Sequence, residues 1–286
     1  MAKDLYTRLR DSLKDTLDFW EQDIEDADVA DFSIRLKEAI EDVGSFKLYK
    51  YMPANLYTIR NIRRQVLHLS PNGGLNDLYE GLPRITGQNI SYSQLKNISR
   101  LASISCFSEN NNNPLMWSHY ASKHQGICVE YDLSLLTDNP YNIISHLYPV
   151  IYSSRRTIGR DISELSENCT QIERDIIEGN VYDGDTLDNI LPLFVLKGEE
   201  WDYEKEWRVI YTIKQQYDLN NDVLNKGNLP FPCISGVYLG FRIDQDFEED
   251  VLDACLEIKR SSNREIPVYK EQIHPETTEI CFCKEI

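Results

Sequence analysis

The segment from Trp201 to Arg208 combines acidic, basic and aromatic side chains in the order Trp-Asp-Tyr-Glu-Lys-Glu-Trp-Arg. On a strand, Glu204, Glu206 and Arg208 would share one face, because alternate side chains point the same way. The acidic pair could hold a ribose diol while Arg208 contacts an anion through a bidentate pair. Glu206 could stabilise positive charge that develops on the sugar, which makes it a candidate catalytic residue. The alternative is an internal ion pair of Glu206 with Arg208 that ties strands together.

A second candidate group, Met-Trp-Ser-His-Tyr-Ala at 116–121, is predicted to lie on a helix that begins at Pro114. His119 could act as an acid or a base near neutral pH, so it is the second candidate catalytic residue. Trp117 and Tyr120 could stack on a nicotinamide or adenine ring. The alternative is a helix that packs in the core, with its His and Tyr capping nearby backbone groups.

Two further pairs complete the candidate binding residues. Lys50 would suit a phosphate or carboxylate and Tyr51 would suit a ring, but they lie on opposite faces of one predicted strand, so we expect only one to face a cleft. The alternative is a strand with one exposed lysine. Asn76 and Asp77 follow a Gly-Gly turn and could reach a ligand from a loop. They could equally stabilise the turn through their own backbone hydrogen bonds.

Short alternating strands and amphipathic helices would position these residues. The pattern indicates an α+β (mixed α/β) fold with a twisted, mostly antiparallel central sheet and flanking helices. Helices are predicted near 56–62, 114–121 and 247–259, and strands at 46–51, 66–70, 102–107, 127–131, 147–152, 207–213, 237–240, 267–269 and 278–283.

Two apolar stripes with helical spacing set residues 1–44 apart as an N-terminal helical appendage. The main α+β domain then covers 45–286, with a mainly helical insertion near 155–198. The stripes must be buried either against the main domain or against a second copy or another protein, and the sequence does not choose between these.

Composition excludes several classes of function. The net charge of −17, from 30 basic and 47 acidic residues, opposes non-specific binding to nucleic acid. No apolar run is long enough to cross a membrane and no signal peptide is evident, so we expect a cytoplasmic protein that does not bind membranes.

The cysteines and the motifs narrow the chemistry further. Seven scattered cysteines predict buried thiols, and the single close pair, Cys281 and Cys283, cannot form a four-ligand zinc site, so no metal is expected. The chain lacks the Gly-x-Gly-x-x-Gly, Walker, Gly-x-Ser-x-Gly and His-Glu-x-x-His motifs. Their absence disfavours a classical dehydrogenase, nucleotide hydrolase, serine esterase or zinc protease.

Four segments, taken in order and spacing, resemble the bacterial domain-of-unknown-function family DUF2971 over residues 48–242. They are Leu-Tyr-Lys-Tyr at 48–51, 69–80 with its Asn-Asp core, 105–131 with Trp-Ser-His-Tyr-Ala, and Tyr-Glu-Lys-Glu-Trp-Arg at 203–208. The family's usual Phe-Asn-Asp-Pro appears here as Leu75-Asn76-Asp77-Leu78. The strand–helix–strand–loop order at 46–80 is also distantly similar to the opening of ADP-ribosyltransferase folds.

This second similarity implies an NAD- or nucleotide-binding glycosyl-type transferase, with NAD as substrate and no certain cofactor. A polar residue of the first strand would grip NAD, a helix would lie across the cleft, and a late acidic residue would hold the nicotinamide ribose. Bacterial phage defence or toxin–antitoxin biology is the biological setting that we expect. The enzyme hypothesis predicts that the candidate residues converge on one concave site.

Two non-enzymatic alternatives stay open. A binding or regulatory module predicts that the same residues are buried and mutually paired, with the N-terminal helices as its working surface. An interaction partner predicts an exposed apolar stripe on the first helix.

Overall fold

Short strands alternate with helices along the described parts of the chain. In a computed structural model, the residues described are 2–18, 26–71, 84–85, 102–154, 157–158, 174, 191–212, 228–277 and 279–285. The helices are α1 (Ala2–Asp18), α2 (Asp26–Val43), α3 (Leu56–Arg64), α4 (Pro114–Tyr120), α5 (Leu191–Val195) and α6 (Gln245–Ser262). The strands are β1 (Lys47–Met52), β2 (Val66–His68), β3 (Ser70–Pro71), β4 (Arg84–Ile85), β5 (Ala102–Ser108), β6 (Ile127–Asp132), β7 (Leu147–Pro149), β8 (Ile151–Tyr152), β9 (Thr157–Ile158), β10 (Leu196–Lys197), β11 (Glu206–Thr212), β12 (Asn228–Pro230), β13 (Ile234–Leu239), β14 (Val268–Ile273) and β15 (Ile280–Lys284).

Nine of these strands form one large sheet. Its order is β15-β14-β13-β6-β1-β5-β11-β7, and β3 adds to β5 beside this path. Every neighbouring pair is antiparallel except β13 and β14, which run parallel. The predicted α+β class with a mostly antiparallel central sheet is therefore confirmed.

The sheet opens between β1 and β5. Strand β1 pairs with β6 along its whole length, from Lys47 opposite Asp132 to Met52 opposite Ile127. Its pairing with β5 is limited to Tyr49 opposite Ser108, whereas β5 pairs with β11 throughout. Because few backbone hydrogen bonds join β1 and β5, the sheet has an opening between these two strands.

The N-terminal helices are present as predicted, and the described residues of their apolar stripes are buried. Leu5, Leu9 and Leu13 of α1 belong to the same hydrophobic cluster as the strands of the large sheet, as do Phe32, Leu36 and Ile40 of α2. The Tyr6 ring packs edge-on against Phe46 at 4.9 Å and against Trp207 at 6.1 Å. Of the two alternatives, the structure selects packing against the main domain. Each buried leucine contributes about 1.5–3 kcal/mol to this packing.

Polar contacts fix the position of α1 on the sheet. The Arg10 guanidinium donates hydrogen bonds to the backbone carbonyls of Val150 and Glu206 and pairs with the Glu109 carboxylate at 2.9 Å. The first helix therefore holds the start of β11, where the acidic segment lies.

Three predicted elements differ from the structure. The predicted strand 66–70 is divided at Leu69 into β2 and β3, which pair with β12 and β5. The predicted strand 147–152 is divided at Val150 into β7 and β8, which pair with different partners. Glu204 is not on the strand with Glu206: residues Glu199–Glu204 form a 3-10 helix, and Lys205 at φ 46° turns the chain into β11. The alternation of residue types along the sequence does not reveal such a turn. A single residue in the left-handed conformation changes the direction of the chain but leaves the alternation of residue types intact.

Part of the predicted insertion near 155–198 lies outside the described residues. Of the insertion near 155–198, the structure describes 157–158, 174 and 191–198, and helix α5 and strand β10 fall in the last of these. Within the described parts of the chain, no helix is long and apolar enough to cross a membrane.

Candidate functional site

A cavity of about 470 Å³ occupies the opening between β1 and β5. Its walls come from β1, from α3 and the turn before it, from β5, from one face of α4, and from three charged residues around the start of β11. Those three are Lys197, Glu204 and Glu206. The cavity falls within the range of about 300–1,000 Å³ that is typical of small-molecule sites.

A buried network of charges forms one end of the cavity. Lys197 Nζ lies 2.5 Å from Glu204 Oε2 and 3.0 Å from Glu206 Oε2. Arg208 grips both oxygens of Glu206, with Nε at 2.8 Å from Oε1 and a terminal nitrogen at 3.0 Å from Oε2. Tyr120 donates its hydroxyl to Glu204 Oε1 at 2.5 Å. The ion pair of Glu206 with Arg208 therefore exists, and the same Glu206 also lines the cavity.

Burial and neighbouring charges act in opposite directions on these groups. Burial raises the pKa of the Glu206 carboxyl, Lys197 opposes that rise, and Glu204 adds to it. Burial alone would lower the pKa of Lys197, but its two carboxylate partners outweigh this and raise it. Lys197 is therefore a permanent cation that keeps two carboxylates close together.

Lys50 brings a second amine to the cavity from β1. Its ammonium donates to Ser105 Oγ at 2.9 Å and to the Cys106 carbonyl at 3.0 Å, both neutral acceptors. Within the described residues it forms no salt bridge. Burial lowers the pKa of Lys50, with only partial opposition from Cys106 and Glu206. Since the described residues give this buried amine no salt bridge, an anionic ligand group beside Lys50 would supply a close counter-charge.

The wall also carries polar and aromatic side chains that could fix a ligand. Tyr120 and Tyr51 both line the cavity, and Tyr51 donates its hydroxyl to the Asn110 carbonyl at 2.8 Å. The Asn61 side-chain oxygen, on α3, is buried without a hydrogen-bond partner in the described part of the chain. Burial raises the pKa of the Cys106 thiol well above its usual value, so this lining cysteine stays protonated and unreactive.

The structure brings together four of the nine candidate residues at the cavity: Lys50, Tyr51, Tyr120 and Glu206. Lys50 and Tyr51 were expected to exclude one another, yet both line it. Their side chains diverge, with the Lys50 amine on β5 and the Tyr51 ring against Trp117 at 5.4 Å.

Three other candidates lie away from the cavity wall. Arg208 is fully buried behind Glu206, where it also donates to the Phe194 carbonyl. Trp117 is fully buried, and its indole donates to the Asn111 carbonyl at 2.7 Å, so its ring packs in the protein and is closed to a ligand. His119 is exposed, because α4 turns Met116 and Tyr120 toward the cavity and carries His119 outward. Asn76 and Asp77 lie outside the described residues.

Sequence reasoning missed Lys197 and Asn61. Lys197 ends the apolar run Leu-Pro-Leu-Phe-Val-Leu, and a lysine in such a run needs a buried acidic partner. The sequence therefore indicated that Lys197 needs a buried acidic partner. It did not indicate which residues are the partners, since β10 pairs with β8 rather than with β11. Asn61 carries no comparable signal. Among the described residues, no group of three or more His, Cys, Asp or Glu side chains could hold a metal ion.

Comparison with known proteins gives a family and no activity. No curated protein and no solved structure matches the chain, so the similarity to ADP-ribosyltransferases is not confirmed. One family model, described as a protein of unknown function (DUF2971), matches residues 116–209. That stretch includes α4, β6, the charged network and the first half of β11. The resemblance predicted from the sequence is thereby confirmed over this part of the chain, where residues 116–209 are similar to the DUF2971 family.

Proposed function

We propose that the cavity between β1 and β5 binds a nucleotide such as NAD, and that the protein breaks or transfers its glycosyl bond. The observation that carries this proposal is the convergence of Lys50, Tyr120, Glu204 and Glu206, from four separate elements, on one cavity. The enzyme hypothesis required such a concave site.

Lys50 is the reason to expect that part of the ligand is anionic. Its amine contacts only neutral groups within the described chain, so an ammonium there is short of counter-charge. A phosphate oxygen would provide a charge-assisted hydrogen bond, which is about twice as strong as a neutral one. Its place on the first strand of the large sheet is also the place that the distant transferase similarity implies for a nucleotide contact.

Glu204 and Glu206 are the reason to expect that the ligand carries a sugar. Their carboxylates face the cavity and are held rigidly by Lys197, Tyr120 and Arg208. In the proposed step, the bond from the sugar C1 to the nicotinamide nitrogen breaks and nicotinamide leaves. An acceptor hydroxyl or water then bonds to C1 and releases its proton. Fixed carboxylates would stabilise the positive charge that develops on the sugar between these events.

A thermal-shift titration with NAD tests binding. We expect NAD to raise the melting temperature of the wild type, because a ligand at a hundredfold excess over its dissociation constant adds about 2.7 kcal/mol to stability. Lys50→Met should lose this shift. Lys259→Met is the matched control, because Lys259 lies on α6 and only pairs loosely with Glu265.

Nicotinamide release, followed by chromatography, tests the chemistry separately. Glu206→Gln should keep the NAD-dependent shift and lose most of the release, provided that its unliganded protein remains folded by circular dichroism. Absence of any shift in the wild type would refute nucleotide binding. A shift without release in the wild type would refute the enzyme and leave a nucleotide-binding module.

That module is a second candidate with an observation in its favour. The binding-module hypothesis expects buried and mutually paired residues, and Glu206, Arg208 and Lys197 are all buried in one ion network. Its expected working surface has less support, because the described apolar stripes of α1 and α2 pack against the sheet. We propose, as expected from the sequence, that the protein acts in the cytoplasm.

A further inference from the structure

A second group of reactive side chains lies on the other face of α4, outside the cavity. His124 Nδ1 lies 2.7 and 3.0 Å from the two oxygens of Glu271, and His124 Nε2 lies 3.4 Å from Ser118 Oγ. Met116 and Tyr120 face the cavity, and Ser118 is about half a helical turn away from both. The group is therefore separate from the nucleotide site.

We propose that Ser118, His124 and Glu271 form a nucleophilic serine site that takes acyl groups from small carboxylic esters. Ser118 is the nucleophile, His124 is its general base, and Glu271 is a positioning residue that holds the imidazole. The arrangement follows the order serine, histidine, carboxylate that recurs on unrelated folds and is recognised by geometry rather than by sequence motif. The missing Gly-x-Ser-x-Gly motif therefore does not count against it.

The hydrogen bonds assign the tautomer of the histidine. A carboxylate only accepts hydrogen bonds, so Nδ1 carries the proton toward Glu271. In the neutral ring, Nε2 is then the acceptor, and it can receive the Ser118 proton. A distance of 3.4 Å is long for a formed hydrogen bond but falls in the looser range that nucleophile–base pairs show before substrate binds.

Glu271 is itself fixed in place. It is 5% exposed, and its Oε2 accepts the backbone N–H of Phe241 at 2.9 Å. The Glu271 carboxylate thus accepts hydrogen bonds from the His124 imidazole and from the Phe241 backbone amide. Such support by a buried, hydrogen-bonded carboxylate keeps a histidine in a single orientation.

The backbone around His124 is also rigidly built. Ser122, Lys123 and His124 take consecutive positive φ angles of 50°, 58° and 67°, and such angles are uncommon for residues other than glycine. The loop is pinned by hydrogen bonds from Arg242 N–H to the His124 carbonyl and from Gly126 N–H to the Ala121 carbonyl. Trp117 stacks on the imidazole with an interplanar angle of 13°. Backbone strain that the surroundings enforce is typical of functional sites.

The side chains of Ser118 and His124 are both partly exposed to solvent. Ser118 is half-buried and the His124 side chain is 23% exposed. In the first step, the Ser118 Oγ–acyl bond forms and the ester C–O bond breaks. The serine proton passes through His124 to the leaving alcohol. Water then releases the carboxylic acid and restores the serine hydroxyl.

A serine-directed fluorophosphonate tests the nucleophile, with intact mass and peptide mapping as readouts. In this reaction the Ser118 Oγ–P bond forms, the P–F bond breaks, and the proton and fluoride leave. We expect one adduct on wild-type protein, mapped to Ser118 and absent in Ser118→Ala. Ser261→Ala is the matched control, because the Ser261 hydroxyl donates only to the Ile258 carbonyl at the end of α6. It should label like the wild type.

Two further variants test the triad. His124→Asn tolerates the positive φ angle but supplies no base, and Glu271→Gln keeps an acceptor for Nδ1 without the charge. We expect both to slow the maximal labelling rate by about 10²–10⁴-fold while the half-saturating probe concentration stays unchanged. A wild type that gains no adduct, or an adduct that persists in Ser118→Ala, would overturn the nucleophile. Equal maximal rates in the wild type and Glu271→Gln would overturn the triad.

Discussion

Removal of the Lys197 ammonium should strongly destabilise the fold. Lys197→Met keeps the length of the side chain but leaves the buried carboxylates of Glu204 and Glu206 without their shared cation. Arg208 continues to pair with Glu206, and Tyr120 continues to donate to Glu204. The variant therefore isolates the loss of one charge from a site whose other contacts remain.

The distances set the size of the effect. At an effective dielectric constant of about 20, two unit charges 3 Å apart interact by about 5 kcal/mol before desolvation is subtracted. Breaking a buried ion pair by removing one partner costs about 3–5 kcal/mol. We therefore expect Lys197→Met to lower the free energy of unfolding by about 3–5 kcal/mol. Adding Glu204→Gln should recover about 1–2 kcal/mol, because it removes one of the two facing negative charges.

The effect should grow with pH. Burial raises the pKa of Glu206, so the folded state binds this proton more tightly than the unfolded state does. The stability from such a group is full below the unfolded pKa, near 4.3, and is lost as the pH rises through the folded pKa. Lys197 opposes the raised pKa, so its removal enlarges the loss. The deficit of Lys197→Met should be larger at about pH 8 than at about pH 5.

Urea unfolding followed by circular dichroism measures these differences. Lys259→Met, on the surface of α6, should change the free energy of unfolding by less than about 0.5 kcal/mol. The reasoning fails if Lys197→Met lies within about 1 kcal/mol of the wild type. It also fails if the added Glu204→Gln does not restore stability, since the two carboxylates would then not repel one another.

Two further substitutions test other parts of the structure. Leu13 is fully buried in the common core, so Leu13→Ala should lower the free energy of unfolding by about 2–5 kcal/mol in a single transition. A separate transition of α1 at lower urea concentration would show an independent appendage instead. Gly240→Ala would place a Cβ 2.3 Å from the His124 carbonyl oxygen. We therefore expect a markedly destabilised protein that is no longer labelled by the fluorophosphonate. A melting temperature equal to that of the wild type would contradict this packing.

Local patterns predicted most of the elements. The alternation at 46–51 and 127–131 gave strands within one or two residues of β1 and β6, and the spacing of Leu56, Ile59 and Ile62 gave α3. These predictions succeeded because strand and helix periods act over a few residues and are written in neighbouring side chains. The turn at Lys205 was not predicted, because a single left-handed residue leaves the periodicity around it intact.

The candidate site was predicted only in part, and for a related reason. Residue type pointed to Glu206, Lys50 and Tyr120, which do line the cavity, but also to His119, which the rotation of α4 turns outward. A side chain's chemical type is local, whereas its direction depends on how a whole helix docks. Lys197 escaped notice because its two carboxylate partners, on a 3-10 helix and at the start of β11, approach it only in the folded chain.

Local sequence patterns indicated most of the secondary structure, the mixed α+β class, the acidic charge and the presence of chemically capable residues. Which of those residues meet depends on the tertiary fold. The near absence of pairing between β1 and β5 creates the cavity, and no local pattern encodes a gap in a ladder. Likewise, His124 and Glu271 are 147 positions apart and meet because β14 joins the sheet beside β13. Contacts between distant segments depend on the register and order of strands, which hydrophobic packing of the entire chain fixes.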